Sequence, residues 1–586
     1  MLMSISNLYT TLKLGWAFGV AITACVLSFA IWNLFMVLGI AKTPMTLLEN
    51  NCMQSTASAA GYSTGGTLAT AVGALLMITG DGRRMGWIPV TAWVLLVALL
   101  GVFLAIPMKR QMINQEQLPF PSGIAAAETL RSLYAKGQES VQKARALISA
   151  LVTGGVVGML RSLEIIPPEL ALKFRMFAVG GQSYSGAQLG MAFEPSLLLI
   201  AAGMIVGLRV SASMMLGSLI NYLALAPWVL GQQAWVAPGK HFIGHMEVAL
   251  NPANVLVAVK VTRWSLWLGT ALMVASGLTS FAMSWRTIAR ALTGVRGGAA
   301  KVDDDPLAAL EVPTSWMVMG LAPVTLGLMA LCWLAMGIHP LLGLLSVVLS
   351  FALALVACRA TGETDTTPIG AMGKITQLVY AVLAPADKTV NLMTAGITAG
   401  AAGSSADLLT DLKSGYLLGA NPRKQFLAQF IGTFFGVLAV VPAWYLLVPN
   451  RAALEAFHSP ATGMWFAVAE ALSTGVSSIP ATARLAIVVG GVVGIALPLL
   501  ERLAAKRAPK IRPWIPSAMG VGLAFVVPFA NSLAFFLGAI LAELWTRFRK
   551  KSAERFIVPL ASGAVAGESL AAAAYAILAN LGLFGH

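Results

Sequence analysis

Glu363, Asp365, Lys374, Asp387, Lys388, Asp407 and Asp411 gather between Arg359 and Thr433, flanked by strongly apolar segments. Carboxylates and ammonium groups at such spacings can pair, bind a charged solute or hand on a proton. In a bilayer they persist only where protein or a watery cavity satisfies them, so their concentration points to a pathway or binding site. Pro368 and Gly370 lie among them and permit unwound backbone. We expect Asp365 and Lys374 to line or gate this path. The stretch AGITAGAAGSSA, with Gly396, Gly400 and Gly403, suits close helix packing or a cavity wall.

Two further carboxylates, Glu128 and Glu568, sit within or beside apolar helices and are candidate proton carriers, because burial disfavours the charged carboxylate. His241, His245 and Glu247, in HFIGHME, lack a third firm ligand and helical periodicity, so an exposed loop is expected there and no metal site. GAMGKIT departs from a phosphate-binding loop, since Pro368 takes the first glycine position and Ile375 follows Lys374. ATP hydrolysis is not expected. No HExxH, DDxxD or Ser-His-Asp grouping is legible, which disfavours the rival reading of an intramembrane enzyme. Cys25, Cys52, Cys332 and Cys358 have no paired spacing and read as apolar fillers, and no cofactor is expected.

The elements that must hold these residues are membrane helices. Of 586 residues 58% are hydrophobic and 11% charged, and the mean hydropathy is +0.79, as in a polytopic membrane protein. The formal charge of +15 gathers between apolar segments, where cytoplasmic loops carry Lys and Arg, so nucleic acid is not expected as a partner. Leu14 to Ala41, about 42 Å as a helix, is expected to be the first span. Glu49 to Gly80 reads as a small-residue helix facing protein. Leu118 to Leu130 reads as a broken or re-entrant element. Lys173 to Glu194 is a polar link, and Pro195 to Leu230 holds two passes only if part is half-length. Ser284 to Glu311 is a cytoplasmic loop, and Trp316 to Cys358 a hairpin turned at His339. Pro516 to Leu544, interrupted at Pro528 and Asn531 and flanked by basic clusters, reads as a re-entrant pair of half-helices. Pro195-Ser196 and Pro516-Ser517 each precede a glycine, Gly217 or Gly538, by the same register, which hints at internal repeats. The expectation is a single all-α membrane domain over 1–586, with halves 1–300 and 314–586, of about 14 to 16 segments including half-helices.

GETDTTPIGAMGKITQ (Gly362 to Gln377), DLLTDLKSG (Asp407 to Gly415) and NPRKQFLAQFIGT (Asn421 to Thr433) resemble signature stretches of the oligopeptide transporter family, which includes the yellow-stripe-like metal-chelate transporters. Glu49, Asn50, Asn51 and Gln54 resemble the polar start of its early signature, and Phe120, Pro121, Ser122 and Gly123 its proline-serine-glycine turn. The Asn-Pro-Gly-Pro-Phe signature of the peptide-transporting branch is absent, so the bacterial and yellow-stripe-like side fits better. The resemblance implies proton-coupled uptake of short peptides, peptide-like compounds or metal chelates across a cell membrane, in bacteria the inner membrane. It implies Glu49, Asn50, Asn51, Gln54, Pro121, Ser122, Glu363, Asp365, Lys374, Gln377, Asp387 and Asp407 as substrate-binding or gating residues.

Overall fold

A computed structural model describes residues 1–17, 21–62, 64–83, 85–134, 138–233, 241–251, 255–283, 310–364, 367–385, 387–474 and 480–583. Helix dominates, since apolar segments in a bilayer must satisfy each backbone group within the segment. α1 (Leu2–Leu14) ends at Gly15, whose φ of 92° suits only glycine, and α2 (Ala21–Val37) follows. The expected single span from Leu14 to Ala41 is thus corrected: the apolar helix begins after this turn and runs about 26 Å. α3 (Leu47–Tyr62), a π-helical turn at Leu68–Val72 and α4 (Gly73–Thr79) take up the small-residue stretch. α5 (Trp87–Lys109) runs through a second π turn, Arg110–Gln115, toward α6 (Pro121–Tyr134). Gln117 and Phe120, with φ of 51° and 42°, make the corner before Pro121, which opens α6 because a proline there forfeits no helical hydrogen bond.

α7 (Gln138–Ser162) runs unbroken from a polar start into an apolar second half. In the polar link, β1 (Leu170–Ala171) pairs with β4 (Ala192–Phe193), and β2 (Arg175–Val179) with β3 (Gln182–Ser185), all antiparallel. Gly180 and Gly181, both at positive φ, form the two-residue turn. The run from Pro195 breaks at Gly207 into α8 (Leu197–Val206) and α9 (Leu208–Ile220), followed by α10 (Ala226–Leu230). β5 (His241–Ile243), β6 (Met246–Leu250) and β7 (Leu256–Val259) form an antiparallel sheet. HFIGHME is therefore a hairpin turned at Gly244 and not an irregular loop.

After α11 (Val261–Met283) the basic stretch Arg286 to Lys301 lies outside the described residues. α12 (Thr314–Met336) and α13 (Pro340–Thr364) make the expected hairpin. α14 (Ile369–Leu383), α15 (Lys388–Leu418), α16 (Pro422–Leu447), α17 (Arg451–Ala456), α18 (Pro460–Thr474) and α19 (Ala481–Arg507) follow. α20 (Ala518–Ala524), α21 (Phe529–Phe548) and α22 (Lys550–Asn580) complete the chain. The break between α20 and α21 falls where Pro528 cannot donate its backbone hydrogen bond. The pieces are unequal: α20 has 7 residues and α21 has 20, so α21 by itself has the length of a span. Among the described residues, ten helices are long and apolar enough to cross a membrane, and shorter apolar helices at Ala21–Val37, Leu68–Thr79, Leu197–Val206 and Ile369–Leu383 accompany them. The protein is a multi-pass membrane helix bundle.

The chain divides into two compact units, each built from separate stretches of both halves of the sequence. One comprises Met1–Ser149, Met283–Ala456 and Ala573–His586, the other Ala150–Ala282 and Phe457–Ala572. In the first, α15 is the spine, with α3, α5, α6, α13, α14 and α16 packed around it. In the second, α8 packs on α21 and α9 on α20 and α21, and the core gathers Tyr222, Trp264, Phe525 and Phe529. The sequence echo is a packing echo. Gly538 lies against the carbonyl of Ile200 and Gly217 against that of Val521, so the glycine of each repeat meets the residue at the same place after the other repeat's proline. Ser196 and Ser517 each cap their short helix, accepting from the amides of Leu199 and Gly520.

Candidate functional site

Three polar groupings stand in the first unit, and α15 or its neighbours supply each. At the end of α13, Arg359 grips both carboxylate oxygens of Glu116, at 3.0 and 2.5 Å, and donates to Glu363 one turn along at 3.1 Å. Glu363 thus belongs to an ion-pair cluster. Phe120 donates its amide to the carbonyl of Gly362, and Gly123 lies against Thr410 and Lys413. The proline-serine-glycine turn therefore bridges two of the signature stretches. Pro121 itself is exposed and Ser122 half-buried.

On the α14–α15 contact, Lys374 donates to Gln377 at 2.8 Å, and Gln377 donates to Asn391 at 3.0 Å. Thr376 and Thr398 meet at 2.7 Å two turns further along α15. GAMGKIT is helical here, so Lys374 projects from the middle of α14 into protein instead of closing a phosphate loop. Asp365 lies outside the described residues.

The third grouping is the most heavily buried. Asn51, Gln54, Ser55 and Ser58 fall at helical spacing on one face of α3, and Asp407, Asp411 and Ser414 do so on α15. Gln425 and Gln429 line the facing stripe of α16. Gln54 donates to Asp411 Oδ1 at 2.5 Å, Asn51 to Ser414 at 2.9 Å and Ser58 to Asp407 Oδ1 at 2.8 Å. Gln429 donates to Asp407 Oδ2 at 3.0 Å, while Gln425 donates to Ser55 at 3.0 Å and to the backbone carbonyl of Asp411. The three helices close tightly because glycines stand where side chains would collide. Gly415 leaves room for the Gln425 amide and Gly432 for the backbone at Thr56. Asn51, Gln54 and Gln429 are fully buried and Asp411 is 1% exposed. Four acceptor oxygens in or beside this seam, Asp411 Oδ2, Asn51 Oδ1, Asn50 Oδ1 and Gln429 Oε1, have no hydrogen-bond donor among the described residues. The seam is rich in acceptors and short of donors.

Of the expected site residues, the structure brings Asn51, Gln54 and Asp407 together. Asn50 turns its amide to the Cys25 carbonyl at 3.2 Å. Glu49 is exposed and closes a helix-start box with Thr46, accepting its amide at 2.7 Å. Asp387 is also exposed and caps α15 by accepting from Val390 at 3.0 Å. Glu128 is exposed on α6, away from the buried Ala126, Ala127 and Leu130, so the desolvation that suggested it as a proton carrier is lacking. The glycine stripe packs: Gly396 lies against Trp93 and Ala71, and Gly400 against Val97 and Thr67.

Glu568 belongs to the second unit. It is 2% exposed and accepts from Arg161 at 2.5 Å, from Ser196 at 2.8 Å and from the amide of Leu198 at 2.7 Å. Arg161 also holds Glu194 at 2.6 Å. A carboxylate whose oxygens already meet a guanidinium, a hydroxyl and a helix-start amide is built as a fixed charge. Sequence reasoning missed this cluster, and it passed over Ser55, Ser58, Ser414, Gln425 and Gln429. The signal for the latter was the recurrence of small polar and amide residues every three or four positions on α3 and α16.

The family described as "OPT oligopeptide transporter protein" matches residues 1–579. The chain is 24% identical to "Putative oligopeptide transporter YGL114W" of Saccharomyces cerevisiae, over 96% of this chain and 92% of that one. It is 26% identical to "Probable metal-nicotianamine transporter YSL17" of Oryza sativa subsp. japonica, over 93% and 82%. With "Putative oligopeptide transporter" of Haemophilus influenzae it shares 25% identity over 96% and 91%.

Proposed function

The chain belongs to the oligopeptide transporter family, and from that premise we propose that it is a secondary active carrier that brings short peptides or peptide-like compounds across the bacterial inner membrane together with protons. The observation that carries this reading is the seam of α3, α15 and α16, where the Asp411 carboxylate and four amide side chains are buried, with Asp407 half-buried beside them, in the spine of a membrane unit. Such groups are costly to bury in a bilayer protein and mark solute or ion routes. Lys374, Gln377 and Asn391 extend the same spine toward the start of α15 and form the second polar station of the route. With a signature lysine inside a helix, the driving force is an ion gradient and not nucleotide hydrolysis. We read the chain as a transporter and not an enzyme.

Metal chelates are the second reading, favoured by the relatives named as metal-nicotianamine transporters. Purified protein in liposomes with an imposed pH gradient tests both. Labelled trialanine and iron-nicotianamine are offered separately, and uptake that collapses when a protonophore dissipates the gradient is expected for one of them. Uptake of neither, or a covalent change in either without accumulation, overturns the reading.

A further inference from the structure

We propose that Asp411 is the residue that takes up and releases the coupling proton, a role that rests on the transport reading above. Its carboxylate is buried with Oδ1 held by the Gln54 amide, while the nearby Ser58 hydroxyl gives its one hydrogen to Asp407 and leaves Asp411 Oδ2 without a donor among the described residues. Two facing amides, Asn51 and Gln429, keep their nitrogens engaged with Ser414 and Asp407 and leave their carbonyl oxygens without donors as well. Turning Gln429 over does not cure the shortage, because Asp407 Oδ2 then loses its donor. What the seam lacks is hydrogen-bond donors, and a proton on Asp411 Oδ2 supplies one while removing a buried charge.

The surroundings supply no other remedy. Among the described residues no Lys, Arg or His side chain lies within ion-pair distance of Asp411. The titratable groups facing it are Asp407, one turn earlier on α15, and the Cys25 thiol of α2. α3 presents Asn51, Gln54, Ser55 and Ser58, and α16 presents Gln425 and Gln429. Lys413 on α15 turns toward the Tyr416 ring, 5.7 Å away, and Lys109 of α5 is bound to Glu311. On α6, Arg131 reaches the Leu417 carbonyl and Glu128 is exposed. Like-charge proximity of Asp407 adds to the advantage of neutralising Asp411. The step balances simply: one proton enters from water on one side, converts the carboxylate to a carboxylic acid, and leaves to the other side when the seam reopens.

Infrared difference spectroscopy of the full-length protein in nanodiscs, recorded on a pH jump without any solute, tests this directly. A carboxylic C=O band that shifts in heavy water is expected in the wild type and in Glu568→Gln, and its loss is expected in Asp411→Asn. Should Asp411→Asn fail to fold, Asp411→Glu provides the reading, because the longer acid moves the band to a new frequency. Persistence of an unchanged band in the Asp411 variants overturns the proposal. So does a band bleached by sodium at constant pH, which assigns the seam to a sodium ion. The liposome assay keeps the two readings apart: wild-type uptake driven by the pH gradient with no Asp411 band sinks only the proton assignment, whereas the band without uptake sinks only the substrate reading.

Discussion

At the scale of single residues, burial and partners sort the carboxylates more sharply than their position in the chain does. Glu568 was legible in the sequence as an acid within an apolar helix, but Arg161 and Glu194, far away in the chain, turn it into part of a fixed ion cluster. Glu568→Gln is expected to lower the melting temperature, by the equivalent of about 3 kcal/mol, the low end for losing one partner of a buried pair, because Arg161 retains Glu194. Uptake per folded molecule should stay near wild type; normal melting with lost proton-driven uptake would return Glu568 to the role of carrier. His245 offers a pH test outside the membrane spans. Its ring meets Thr482 at 2.7 Å, and burial holds its pKa below the ordinary 6.5. A folded-state value below the unfolded one means that the unfolded chain binds protons first, so this contribution is complete above about pH 6.5 and is lost as pH falls below it. The fall in melting temperature between pH 7 and pH 5 should be shallower in His245→Gln than in wild type; equal slopes refute this. Asp407 and Asp411 stood out in the sequence as polar residues, yet only the face of α3 opposite them shows which of their oxygens is short of a donor.

At the scale of elements, most helices were legible because apolar length and the prolines and glycines that end them are local properties. The first span was misread because an apolar run does not show that Gly15 turns left-handed. The strands between Leu170 and Val259 were missed because polar, glycine-rich segments carry a weak periodic signal and take their pairing from neighbours. The repeat was visible as a proline-serine-glycine register, and packing gives it a physical content: each glycine admits the backbone of the opposite short helix. Methyl groups added there should therefore both destabilise, but unequally. At Gly538 the new carbon meets the Ile200 carbonyl well inside contact distance, while at Gly217 it meets the Ala524 methyl at 2.9 Å and the Val521 oxygen at 3.0 Å. Gly538→Ala is expected to cost about 1 to 3 kcal/mol and Gly217→Ala less, as overpacking of a tight contact does. Thermal unfolding of the two variants in detergent checks the order, and a larger loss at Gly217 would show that the two contacts are not equivalent.

At the scale of the whole molecule, composition alone declared a membrane bundle, while its crossing pattern depends on where charge sits at the ends of helices whose lengths only the structure gives. The second unit poses this most sharply. Arg502, Lys506, Arg507, Lys510 and Arg512 precede α20, and Arg547, Arg549, Lys550, Lys551 and Arg555 follow or close α21. Lys and Arg next to membrane segments stay on the cytoplasmic side, which places both clusters there. Helix length argues the other way, because α21 is 20 residues long and about 30 Å is enough to cross. The two arguments are reconciled if α20 enters only part way, the chain turns at Phe525 to Pro528, and α21 returns with its polar last turns, from Glu543 to Phe548, standing beyond the hydrocarbon. The capped start of α20 at Ser517 and the salt bridge from Arg209 to Glu501 at 2.8 Å fit an entry at the membrane surface. We therefore expect the chain to enter and leave on the same face. The four native cysteines are free, so they can be replaced without breaking a disulfide. Single cysteines at Lys510 and at Lys551 should then both resist an impermeant thiol reagent added to intact cells and both react in inverted vesicles. Labelling of one from each side would make α20 and α21 a single crossing bent at Pro528 and would set the charge rule aside for this pair.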